Sequence, residues 1–60
     1  MPDPKVGDIW QEYLNGKTFR YLLVEQCEDK NHFDLFDLDW RLNMPDVHVN
    51  PKSIDWKKIG

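Results

Sequence analysis

Cys27, His32 and His48 are the only thiol and imidazole groups in the chain. With Asp34 and Asp37 close by in sequence, they are the residues from which a metal site or a nucleophilic triad would have to be drawn. Structural zinc sites bring their ligands in pairs at short spacing, such as C-x-x-C. A single cysteine makes no such pair, and a lone cysteine on a strand is ordinarily a small buried hydrophobe. A thiolate nucleophile needs an adjacent base and a substrate pocket of a few hundred Å³. Sixty residues leave little depth for one. The expectation is no catalytic residue, no metal ligand and no cofactor.

Carboxylates are more plentiful. Asp34, Asp37 and Asp39 lie close together, and between Glu25 and Asp39 six acids face Lys30 alone. General acid–base pairs need two carboxyl groups fixed in a sheltered cleft, and the pattern supplies no shelter. The same residues serve as solvated turns and strand edges that resist edge-to-edge pairing. They also serve as an acidic surface that docks on a basic partner protein. The opposite pole is the C-terminus, where Lys52, Lys57 and Lys58 surround Trp56, while Arg41 follows Trp40. Rings interleaved with basic residues can bind single-stranded nucleic acid by stacking. Three lysines fall short of the usual basic excess, so Trp56, Lys57 and Lys58 stand as the alternative site.

Three Trp, three Phe and two Tyr are more rings than one small core encloses. Trp10, Tyr13 and Trp40 flank polar positions in strand-like segments. They are the expected exposed anchors of a protein-binding surface, with Asp34, Asp37 and Asp39 supplying steering. The competing use for exposed rings is a homo-oligomer interface.

These residues need a scaffold, and the chain is barely long enough to make one. By size scaling, folding a 7.2 kDa chain hides roughly 60% of its surface. The apolar share contributes about 95 kcal/mol, against about 90 kcal/mol for ordering the residues. The difference is close to zero, which favours an aromatic-rich core or self-association. One cysteine excludes an intramolecular disulfide. A hydrophobic content of 40% excludes a disordered chain. The longest apolar run, Tyr21 to Val24, is far short of the ~20 residues that span a bilayer. Met1 to Lys5 lacks the apolar segment of a signal peptide, so a cytoplasmic protein without membrane contacts is expected. A net charge of -3 and a pI of about 5.1 disfavour generic DNA binding.

Along the chain, residues 1–5 read as an extended leader and 6–60 as one domain. Val6 to Leu14 is rich in β-formers. Asn15-Gly16 then tolerates positive φ at both centres of a type I′ turn, the strongest short hairpin signal. Lys17 to Cys27 returns with Phe19, Tyr21 and Leu23 on one face. Glu28 to Asn31 is a polar turn. In His32 to Trp40, Phe33 and Leu35 share one face while Phe36, Leu38 and Trp40 share the other. That switch predicts a β-bulge or bend between Leu35 and Phe36. Arg41 to Asp46 reads as a loop and Asp46 to Asn50 as a short strand closed by Pro51. The tail from Ser53 to Ile59 is either a helical turn capped by Ser53 or, preferably, a turn and a last short strand.

Four to five short antiparallel strands with a tight hairpin and a bent strand predict an all-β fold, a small SH3-like half-open barrel. A three-stranded sheet with one C-terminal helix is the main alternative. Lys5-Val6-Gly7-Asp8-Ile9-Trp10 resembles the opening strand of SH3-like barrel proteins, including the MazF/PemK ribonuclease toxins. The resemblance spans six residues and implies the barrel. It does not extend to the nuclease, because those toxins are longer and carry further basic and polar residues without counterparts here. The compact acidic chain also resembles the small accessory proteins of phages and mobile elements. The expected function is a non-enzymatic protein-binding module. An inhibitor that occupies the basic substrate site of a host enzyme and a small nucleic-acid-binding barrel are the alternatives.

Overall fold

The computed structural model describes residues 3–60. Five strands follow one another: β1 (Ile9–Leu14), β2 (Lys17–Gln26), β3 (His32–Asp37), β4 (Leu42–His48) and β5 (Trp56–Lys58). They form one antiparallel sheet in the order β4-β3-β2-β1-β5. The fold is all-β and the sheet is open, with β4 and β5 as its edges. No helix among the described residues is long and apolar enough to cross a membrane.

The β1–β2 hairpin forms where Asn15-Gly16 places it. Both residues have positive φ, 51° and 79°, and Leu14 pairs directly with Lys17, the geometry that matches the twist of the flanking strands. Strand alternation then sets the core. Tyr21 and Leu23 of β2 and Phe33 and Leu35 of β3 turn inward with Trp10 and Val49. Phe19, Met44, Val47 and Trp56 pack against that cluster. On the opposite face Ile9, Leu22 and Phe36 lie side by side across three strands and are half-buried.

The irregularities fall elsewhere than the sequence pattern predicts. β3 alternates without interruption from His32 to Asp37, so no switch occurs between Leu35 and Phe36. The strand ends at Asp37, and Leu38 to Arg41 form a turn. The bulges lie on the neighbours of β3. Val24 is the extra residue of β2, between the pairs Leu23–Leu35 and Glu25–Asp34. Pro45 and Asp46 of β4 lie between Met44–Leu35 and Val47–Phe33. Arg41 to Asp46 is therefore largely strand and not loop. Proline is tolerated because β4 is an edge strand and Pro45 sits in a bulge, where a missing N–H breaks no ladder bond.

The C-terminal segment is a turn and a strand. Asn50 Oδ1 accepts the Lys52 N–H at 3.0 Å and Ser53 Oγ accepts the Asp55 N–H at 3.2 Å. Ser53 thus closes a turn that leads into β5, and no helical turn forms. Of the expected leader, Met1 and Pro2 lie outside the described residues. Pro4 is buried, and the Gly7 N–H donates to the Leu23 carbonyl at 2.9 Å. The chain before β1 is thereby fastened to β2.

Candidate interaction surface

The turn between β3 and β4 is built on a buried charge. Asp37 is 4% exposed, and its Oδ1 accepts the backbone N–H groups of Asp39 and Trp40, both at 2.9 Å. The Arg41 N–H donates to the Asp37 carbonyl at 2.8 Å, and the Leu38 N–H to the Arg20 carbonyl at 2.9 Å. Arg41 takes a φ of 56° to close the turn. Asp37 was expected on an exposed acidic strip. It is instead an internal strut, because a carboxylate that satisfies two converging N–H groups can be buried where a free one cannot.

Asp39 stands outside the same turn and is neutralised there. Arg20 Nη2 approaches Asp39 Oδ1 at 2.6 Å, with Nε at 3.4 Å from Oδ2. The hydrogen bond from Arg20 holds the Asp39 carboxyl below its ordinary range, and Asp39 raises the guanidinium in turn. Asp34 lies on the outer face of β3. Its Oδ1 accepts the Asp46 N–H at 3.0 Å and the Cys27 thiol at 3.5 Å. Asp34, Asp37 and Asp39 therefore occupy an outer face, the interior and a turn. They do not form one strip.

The three predicted anchors also separate. Trp10 is 2% exposed, pairs with Tyr21 across the hairpin and donates its Nε1–H to Asp8 Oδ2 at 3.3 Å. It is a core residue, and its indole N–H is satisfied, as a buried Trp requires. Trp40 is 69% exposed on the rigid β3–β4 turn, and Tyr13 is exposed near the end of β1. The meander places the β1–β2 hairpin and the β3–β4 turn at the same end of the sheet. Ile54, 98% exposed, reaches that end too, because the Tyr13 N–H donates to the carbonyl of the adjoining Asp55 at 2.8 Å. Tyr13, Leu14, Trp40, Leu42 and Ile54 are exposed apolar residues of this end. Ile54 was missed because a single apolar residue between Ser53 and Asp55 carries no periodic signal.

At the C-terminus Trp56 leans on Tyr21, with ring centroids 5.7 Å apart, and is half-buried. Lys57 pairs with Gln11 and Lys58 with Trp10, so alternation sends the two lysines to opposite faces. Trp56, Lys57 and Lys58 do not form one basic, ring-lined patch. Beside Trp56, the Tyr21 hydroxyl donates to Glu12 Oε1 at 3.1 Å. Burial, then the charge of Glu12, pushes the Tyr21 phenol well above its usual range.

The other end carries the thiol and imidazoles. The His32 and His48 rings stack at 5.0 Å, and His32 Nδ1 lies 2.9 Å from Asp46 Oδ1. Partial burial, followed by the Asp34 hydrogen bond and charge, pushes the Cys27 thiol up, the opposite of nucleophile activation. Among the described residues no group of three or more His, Cys, Asp or Glu side chains is arranged to hold a metal ion. One feature has no counterpart in the sequence pattern: a cavity of about 270 Å³ lined by Val24, Asp34, Leu35, Asn43, Met44 and Pro45. Compared with known proteins, the chain matches no family model, no curated protein and no solved structure.

Proposed function

We propose that the chain is a small half-open barrel of the SH3-like type that works as a non-enzymatic protein-binding module. The barrel reading is supported by β2. Residues 17–22 pair with β1 and residues 21–26 with β3, and a bulge at Val24 bends the part that pairs with β3. β5 then returns to the free side of β1.

The binding reading rests on Trp40. A large ring 69% exposed costs solubility, and the turn that presents it is fixed by Asp37, Arg20 and Asp39. A rigid aromatic presented without loss of side-chain freedom elsewhere is the form of a binding hot spot. Tyr13 and Ile54 extend that end of the surface. The partner is a protein with a basic surface, since the chain carries a net charge of -3 and Glu25, Glu28, Asp29 and Asp46 are exposed. Where that basic surface is the substrate site of an enzyme, the module acts as an inhibitor.

Affinity capture of the tagged protein from native-host lysate, with and without nuclease, tests this reading. One stoichiometric protein partner that survives nuclease and is lost with Trp40→Ala supports it. An inhibitor additionally abolishes a measurable activity of that partner at equimolar dose. Partners that vanish with nuclease overturn it in favour of nucleic-acid binding.

A further inference from the structure

Two bulges open the sheet at one place. On one side of β3, Val24 is the unpaired residue of β2. On the other, Pro45 and Asp46 of β4 oppose Asp34 alone. A bulge disrupts the local ladder and bends its strand, and both bends flank Asp34 and Leu35. The cavity of about 270 Å³ lies there, lined by residues of all three strands. Drug-sized ligands occupy roughly 300–1,000 Å³. This space suits one long side chain.

Its lining is selective. Val24, Leu35, Met44 and Pro45 supply apolar walls, Asn43 and Asp34 supply the polar groups, and no basic residue is present. Asp34 uses Oδ1 for both Cys27 and Asp46, and its Oδ2 accepts no hydrogen bond among the described residues. Glu25, in register with Asp34, and Asp46 add negative charge beside it. An acidic side chain entering here meets repulsion. A neutral aliphatic chain fills the space but strips water from Asp34 without replacing it. A long basic side chain does both tasks, burying its stem and presenting its charge.

We propose that this cavity is the pocket for a lysine or arginine of the partner protein, with the stem against Val24, Leu35, Met44 and Pro45 and the cation at Asp34 Oδ2. The assignment rests on the protein-binding reading and adds to it the residue type that is recognised and a second contact area apart from Trp40.

The test is a titration of the isotope-labelled full chain, followed by amide chemical shifts. The probes are the N-acetyl N′-methylamides of lysine, arginine and norleucine. Saturable shifts confined to Val24, Asp34, Leu35, Asn43 and Met44 are expected with the two basic probes. Norleucine, the uncharged counterpart of lysine, should bind about fivefold more weakly, the scale of one partly exposed ion pair. Asp34→Asn keeps the Oδ1 acceptor for Cys27 and Asp46 and should bring lysine down to the norleucine level. Val24→Phe, at an exposed bulge position that tolerates a larger side chain, should close the opening to all three probes.

Equal affinity for lysine and norleucine, shifts scattered over the surface, or no response to Asp34→Asn would overturn the assignment. The two readings fail separately. A captured partner that depends on Trp40 but is indifferent to Val24→Phe removes the pocket and keeps the module. Specific lysine binding with no captured protein removes the module.

Discussion

The buried carboxylate of Asp37 accepts the backbone N–H of Trp40 at 2.9 Å, so the ring presented most openly to solvent among the tryptophans stands on the one buried charged side chain among the described residues. The interior thereby determines the attitude of the surface. Within a loop of four residues, one oxygen atom holds the Trp40 N–H and also takes the Asp39 N–H.

Replacing that strut should be costly. Asp37→Ala leaves two N–H groups without an acceptor and should lower unfolding free energy by about 1–3 kcal/mol. Asp37→Asn keeps one acceptor oxygen and should recover part of the loss. Urea denaturation measures both. An alanine variant within about 0.5 kcal/mol of the parent would mean that water replaces the carboxylate.

Trp40→Ala should behave in the opposite manner. The ring makes no core contact, so stability should stay within about 0.5 kcal/mol while partner capture is lost. A large fall in melting temperature would show that Trp40 packs in solution and would remove it as an anchor.

The Arg20–Asp39 pair gives stability a pH dependence of defined sign. The folded Asp39 carboxyl lies below its ordinary value, so the unfolded chain binds its proton first as pH falls. The contribution of the pair is complete above the unfolded carboxylate value near 3.9 and disappears as pH drops through the lower folded value. The stability difference between the parent and Asp39→Asn should be constant above the unfolded carboxylate value and close as pH falls through the lower folded value. Because both side chains are exposed, added salt should shrink it at every pH. A gap that does not narrow as pH falls would point to a role for Asp39 other than its charge.

Cys27 should be a slow thiol. Its raised pKa, from partial burial and Asp34, means less thiolate at a given pH and slower alkylation by iodoacetamide than a free cysteine. Asp34→Asn removes the neighbouring charge and should speed the reaction. Alkylation faster than that of free cysteine would contradict the geometry.

Gly16 carries the hairpin through its backbone. At φ +79° an added Cβ meets no atom within 4 Å, so Gly16→Ala should cost about 1–2 kcal/mol from left-handed strain alone. A chevron analysis that found no loss would show that the turn relaxes to another type.

Local chemistry made part of this molecule readable from its sequence. Asn15-Gly16 announced the hairpin because few dipeptides accept two positive φ values, and alternation in β2 put Tyr21 and Leu23 on one face, the face the structure buries. Tyr13 and Trp40 were legible as exposed rings. Trp10 was not distinguishable from them, because both tryptophans have polar neighbours and only the cross-strand partner Tyr21 decides the burial of Trp10. Asp37 misled for a related reason. Carboxylates are surface residues by default, and the two N–H groups that reverse the default belong to a turn not encoded by any motif. With Pro45 in it, Arg41 to Asp46 reads as a loop unless its place at the sheet edge is known. The cavity depends on two bulges in separate strands meeting across β3, a coincidence visible only once the register is fixed.

The attachment of β5 also implies an order of events during folding. β1 to β4 are joined by 15–16, 27–31 and 38–41, short closures that lose little chain entropy and form quickly. β5 is different, since Trp56 must find Glu12 and Lys58 must find Trp10 across most of the chain. Its latch is backbone alone at the far end, where Gly60 offers its carbonyl to the Ile9 N–H at 2.8 Å and a Cβ at position 60 would stand 3.4 Å from the Ile9 side chain. The meander is therefore the early kernel and the residue 56–60 segment the late clasp. Hydrogen exchange should reach the amides of Ile9 and Ile59 by local opening well before those of Leu23 and Leu35.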